Sequence, residues 1–207
     1  MEDGKGKMED GTEIVLLTSI KASIQIVFDC ARSIDIHQLS TAQTNEKAIA
    51  GRTSGLCKLG DEVTWRAKHF GVYQKLSSKI TKLKAPFYFQ DCMIKGAFSF
   101  IMHDHYFEEN DGVTVMKDVF AYGVPYGFFG ILFNKVVLKK YMIALLTERN
   151  RVIKEVAEKN LDIRAIPRNR SSHCIVKESH FINLKNYILH FALNSKTTLT
   201  DLSFLIS

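Results

Sequence analysis

The chain has little of what marks disordered, disulfide-stapled or membrane-embedded proteins. Of its 207 residues only 3 are Pro and 12 are Gly, too few for wholesale disorder or a collagen-like repeat. The four cysteines, Cys30, Cys57, Cys92 and Cys174, lie too far apart to form a C-x-x-C pair. That excludes a zinc knuckle and a thioredoxin-type redox motif. No apolar run is long enough for an integral membrane segment: the most apolar stretch, Phe128 to Leu146, is broken by Lys135, Lys139 and Lys140, which a bilayer centre tolerates badly. The first residues, Met1 to Lys7, are polar and lack the apolar core of a signal peptide. A cytoplasmic protein with reduced thiols is the expectation. The formal net charge of +6 is spread along the chain, and an undirected excess of that size does not make a nucleic-acid surface. Gly55 to Gly60 is glycine-flanked but lacks the Gly-Lys-Ser/Thr ending of a phosphate loop, and no helical pattern follows it.

What is present is a change of period along the chain. Residues 1–12 read as a loose tail. Glu13–Ile20 is a β-rich run, after which Ser23 is placed to cap a helix carrying Ile24, Val27, Phe28 and Ala31, with a second short helix over Ile36–Thr41. From residue 46 the pattern alternates, giving strands at Lys47–Ala50, Glu62–His69, Val72–Leu83, Phe87–Ile94, Phe98–Glu108 and Val113–Tyr122. The connectors are short, and Asn110-Asp111-Gly112 is a hairpin signal. Strands joined so closely form an antiparallel meander. After Pro125 the helical period returns. Leu132, Val136, Ile143, Leu146, Ile153 and Ala157 mark one face of a helix from about Phe128 to Lys159, with Lys135, Lys139, Arg149, Arg151 and Lys154 around its other sides. The fold class is therefore α+β: a curved antiparallel sheet of about seven strands around one long helix, with two short helices after the first strand. Residues 13–159 form this domain, and residues 160–207 are a C-terminal appendage.

Strand alternation sorts the side chains onto two faces. It turns Val63, Trp65, Ala67 and His69 inward, then Val72, Gln74, Leu76, Ser78 and Ile80, then Ile101, His103, His105 and Phe107, and finally Thr114, Met116, Asp118, Phe120 and Tyr122. The result is an apolar basin containing His69, His103, His105, Asp118, Gln74 and Ser78. A buried carboxylate needs partners, and histidines on neighbouring strands supply them. Four readings stay open: a structural hydrogen-bond network, a patch orienting the polar end of a ligand in an apolar pocket, a metal site built on His-x-His, and a His–Asp general base. No nucleophile is matched to the last, and no metal or cofactor is assigned. The ligand-binding set is Trp65, His69, Gln74, Leu76, Ser78, His103, His105, Met116, Asp118 and Phe120. The segment from Gly51 to Gly60 reads as a plain solvent loop or as a flexible cover at the pocket mouth.

Several stretches carry a family likeness: Phe28-Asp29-x-Ala31-Arg32-Ser33-Ile34-Asp35-x-His37, Gly60-Asp61-Glu62-Val63-Thr64-Trp65-Arg66-Ala67-Lys68-His69-Phe70-Gly71, Phe89-x-Asp91-x-Met93-x-x-Gly96-x-Phe98, His103-Asp104-His105-x-Phe107, Met116-x-Asp118-x-Phe120-x-Tyr122, and Leu138-x-Lys140-Tyr141-Met142 with Arg149-Asn150. Together these resemble the START/polyketide-cyclase (SRPBCC, helix-grip) superfamily, and within it a bacterial branch labelled cyclase/dehydrase-like or cell-division-inhibitor-like. The resemblance implies a hollow domain for lipids, polyketides or other small hydrophobic ligands. It favours a non-enzymatic binding protein over a cyclase/dehydratase-type enzyme, and both over an interaction module linked to cell division that meets a protein partner through the C-terminal helix or tail. It transfers no catalytic set.

Overall fold

The computed structural model of the protein describes residues 11–159. The appendage at 160–207 and residues 1–10 of the expected tail lie outside them. Thr12, read from sequence as the tail's end, is the first residue of strand β1 (Thr12–Ile20). Helices α1 (Ile24–Ala31) and α2 (Ile34–Ser40) follow, then a 3₁₀ turn at Ala42–Thr44. Six strands come next: β2 (Lys47–Gly51), β3 (Glu62–His69), β4 (Val72–Lys84), β5 (Tyr88–Lys95), β6 (Phe100–Asn110) and β7 (Val113–Gly123). A helical rod closes the described chain as α3 (Gly127–Phe133), a π turn (Asn134–Leu138) and α4 (Lys139–Glu158).

The seven strands form one sheet in the order β1-β7-β6-β5-β4-β3-β2, with antiparallel neighbours throughout. The meander from β2 to β7 is therefore in sequence order, and β1 closes it by pairing with the last strand. The β6–β7 hairpin turns on Asp111 and Gly112, both at positive φ, the conformation a tight reversal requires. Helix α1 is capped differently from the sequence expectation. The Ser23 side chain makes no cap bond; instead Glu109, reaching from β6, accepts from the Ile24 N–H at 2.7 Å.

The concave face of the sheet holds the core. One cluster includes Phe28, Ile36, Trp65, Phe89, Phe107, Met116 and Ile153; a second joins Ile14, Ile101, Phe120, Tyr122, Leu138 and Leu146. Phe28, on α1, meets Phe89 and Phe107 edge-on at 5.7 and 5.4 Å, which locks the short helix onto the sheet.

Three sequence expectations are corrected here. Leu132, assigned to the inner helical stripe, is exposed. The π turn adds a residue ahead of α4 and shifts the phase, so the inward positions before it are Gly130 and Asn134. Asn134 fixes that shift: it accepts from Tyr122 Oη at 2.6 Å and donates to Thr12 Oγ1 at 2.6 Å. At Gly130 a Cβ would collide with the carbonyl oxygen of Pro125. Arg149, placed on the wet side, is buried. Val72, expected inward, is exposed at the end of the β3–β4 hairpin.

Candidate functional site

A cavity of about 230 Å³ lies between the sheet and the helices, its lining mostly apolar. Both core clusters contribute: Val63, Trp65, Ile80 and Phe89 from one, Ile101, Phe120, Leu138 and Leu146 from the other. Strand pleating delivers alternate residues of β3, β4 and β6 to this wall, and α4 supplies Tyr141, Met142, Leu145 and Leu146. Of the residues selected from sequence, Trp65, His69, Gln74, Leu76, Ser78, His103 and Phe120 line the cavity. His105, Met116 and Asp118 lie beneath the lining, almost without solvent exposure.

Asp118 is the hub of a polar network under the cavity floor. Its Oδ1 accepts from His105 Nδ1 at 2.7 Å, from His103 Nε2 at 3.2 Å and from Arg149 Nη1 at 3.4 Å. Its Oδ2 accepts from Asn150 Nδ2 at 2.7 Å. The register explains the meeting: His105 stands directly opposite Asp118 across β6 and β7, and His103 directly opposite Asp91 across β5 and β6. Arg149 also donates to the Ala31 carbonyl at 3.0 Å, and Asn150 to Thr18 Oγ1 at 3.1 Å. The network thus ties α4 to α1, β1 and β7.

Burial alone raises a carboxylic acid's pKa, but for Asp118 the hydrogen bonds and charge of His103 and His105 outweigh it. Its carboxyl is held well below the ordinary range. Asp91 moves the same way: burial opposes ionisation, and the His105 hydrogen bond and the nearby cationic groups overcome it. His103 goes down to about 4, because burial and the neighbouring His105 outweigh its bond to Asp118. A neutral imidazole with a carboxylate behind it therefore faces the cavity.

Asp91, His103 and His105 each offer one ligand atom, and these atoms lie within 4.8 Å of one another. That is a donor set a divalent transition ion accepts. The hydrogen bonds nevertheless complete the cluster from within. His105 has a carboxylate oxygen within hydrogen-bond distance of each ring nitrogen, Asp118 at 2.7 Å and Asp91 at 3.2 Å, and Arg149 places a cation beside Asp118.

A second polar group lies toward β2 and β3. His69 Nδ1 and Tyr141 Oη are 2.7 Å apart. His37, on α2, stacks on Trp65 at 4.2 Å and pairs with Glu46 at 3.2 Å. Burial and, less strongly, Glu46 push the Tyr141 phenol up to about 12; burial lowers His69 against the pull of Glu46. The segment between Gly51 and Gly60 is hydrogen-bonded to the junction of α1 and α2. Gly55 O accepts from Ile34 N, Cys57 N donates to Arg32 O, and the buried Cys57 lines the cavity.

Sequence reasoning missed Asp91, Arg149, Tyr141 and the His37–Glu46 pair. A signal existed for the first: Asp91 shares a strand face with Phe89, an obvious core residue. Tyr141 and the His37–Glu46 pair depend on contacts between distant elements and had no local signal.

No protein-family model matches the chain, and no curated protein matches it. Solved structures do. The chain is similar to the protein TTHA0849 from Thermus thermophilus, with a TM-score of 0.61 at 14% identity over 73% of this chain and all of that one (100%). Protein Ms6760 from Mycobacterium smegmatis gives 0.53 at 14% identity, over 77% of this chain and 98% of that one. Ginseng major latex-like protein 151 from Panax ginseng gives 0.52 at 14% identity, over 72% and 98%. With the seven-stranded curved sheet and its long C-terminal helix, these likenesses place the chain in the helix-grip fold.

Proposed function

We propose that the protein binds a small hydrophobic ligand between the sheet and α4, with His103 meeting the ligand's polar atom. The observation that carries this reading is the apolar cavity with a neutral, carboxylate-backed imidazole in its wall. An engineered apolar cavity of about 150 Å³ holds benzene. A volume of about 230 Å³ therefore suits a fused-ring polyketide fragment or a short acyl chain better than a bulky lipid. Because the neutral imidazole gives its one N–H to Asp118, its other nitrogen is an acceptor and favours ligands carrying a hydroxyl.

Filling the cavity tests this. Ala67 is buried and lines it, so Ala67→Phe is expected to weaken binding of a fluorescent fatty acid by about tenfold or more while leaving the far-UV spectrum unchanged. Wild-type affinity in that variant would put the probe elsewhere and end the reading.

The His103–Asp118 pair favours a second reading, a cyclase/dehydratase-type enzyme in which His103 removes a proton α to a carbonyl. Loss of water from a β-hydroxyketone probe, followed by mass spectrometry, separates the two. Turnover by the wild type that disappears in His103→Gln, with probe binding retained, makes the protein an enzyme. No turnover leaves it a binding protein.

A further inference from the structure

Residues at the start of the helical rod are turned outward in a way the cavity does not explain. Tyr126, Phe128, Phe129, Ile131 and Leu132 are all exposed, Phe128 at 73% and Phe129 at 68%. Contiguous exposed apolar surface of this kind marks an interaction site. The rod's inward side here is committed. Gly130 lies against Pro125, Phe133 packs on Phe70 at 5.7 Å, and Asn134 is bonded to Tyr122 and Thr12. The aromatics therefore cannot roll inward without breaking those contacts.

Charge identifies the occupant. Lys135 and Lys139 are exposed and follow the aromatics along the same rod. Phe128 and Leu132, four residues apart within α3, share one side of that helix. From Val119 to Thr147 the sequence contains no Asp or Glu. An apolar aromatic tip followed by lysines, without acids, is the pattern of a segment seated at a lipid–water interface.

The tip also adjoins the cavity. Phe70 lines it and touches both Phe133 and Tyr141, and Leu138, Tyr141 and Met142, the next residues of the rod, form part of its wall.

We infer that α3 and the following lysines dock the protein onto an anionic membrane surface, from which the hydrophobic ligand enters the cavity. The second half of this statement rests on the ligand-binding reading above; the docking itself does not. No helix among the described residues is long and apolar enough to cross a membrane.

Sedimentation of the full chain with vesicles tests it. Vesicles of phosphatidylcholine with about one-third phosphatidylglycerol are expected to carry the protein down, and pure phosphatidylcholine to do so at least about tenfold less well. Raised salt should weaken the association. Phe128→Ser with Phe129→Ser should reduce binding by about tenfold or more, and Lys135→Glu with Lys139→Glu by about twentyfold on the anionic vesicles. Both double variants should bind a fluorescent fatty acid in lipid-free buffer as the wild type does, which keeps a failure of docking distinct from a failure of the cavity reading. Equal recovery with both vesicle types, or full binding by the serine variant, overturns the inference. So does a wild-type dimer that the serine variant converts to monomer in sedimentation velocity, because a second copy would then cover the tip.

Discussion

Asp118→Ala should lower the unfolding free energy by about 3–5 kcal/mol, the range for removing one member of a buried charged cluster. The carboxylate is 1% exposed and accepts hydrogen bonds from His103, His105, Arg149 and Asn150. Truncation leaves two imidazoles, a guanidinium and an amide facing a void that presents no acceptor. The unmade bonds cost more than the lost contacts, because each donor has already given up water. A domain of this size has about 5–15 kcal/mol of stability in all, so the variant should unfold at markedly lower urea concentration. The urea midpoint, with the slope checked for constancy, is the measurement. Asp118→Asn keeps the volume but removes the charge and aims an amide N–H₂ at other donors, so it should recover little. A midpoint within about 1 kcal/mol of wild type for both variants would mean that the cluster is wet or unpaired.

Acid should destabilise the protein well before its carboxylates titrate. His103 in the folded state lies at about 4, below the ordinary value of about 6.5. Burial is the main cause, with repulsion from His105 second. Between those values the unfolded chain holds a proton that the folded one lacks. The contribution of His103 to stability is therefore complete above about pH 6.5 and is lost as the pH falls toward 4. The slope approaches about 1.4 kcal/mol per pH unit for one proton. His69, also lowered by burial, adds in the same direction. Asp118, Asp91 and Glu46 are lowered too, so their contributions persist through this window and fail only below the ordinary carboxylate range. Urea midpoints taken from neutral pH to about pH 5 should decline steadily, and His103→Gln, which can still donate to Asp118, should flatten the decline. A flat wild-type profile over that interval would show that the folded protein takes up the proton as readily as the unfolded chain.

The sheet and its inward face were legible because both depend on local alternation. The charges of Glu62, Arg66 and Lys68 set the face of β3, Lys117 set that of β7, and Asp104 with Glu108 set that of β6, which turned His103 and His105 to the same side as Met116, Asp118 and Phe120. Arg149 shows a different limit. It lies three residues after Leu146 and four before Ile153, so helical spacing alone put it on the buried stripe. Its charge argued for the wet side, and the reading followed the charge. A buried acid already needing partners was the clue to weigh against it. Leu132 was not recoverable in the same way. The phase of the rod before α4 is set by Asn134, held by Tyr122 and by Thr12 at the far end of the chain, and no local pattern encodes a π turn. The cavity itself belongs to the same class: it is the space left between elements, and no residue announces it.

The pairing of β1 with β7 has a consequence for biosynthesis. The first strand must wait for the last, roughly a hundred residues later, and Asp118 must wait for Arg149 and Asn150 still further on. While the ribosome delivers the intervening hairpins, their greasy side has no helix to cover it, and the first strand has no neighbour. Such late closure slows assembly and leaves adhesive intermediates. Nascent chains stalled before α4 emerges should therefore be the ones that chaperones hold.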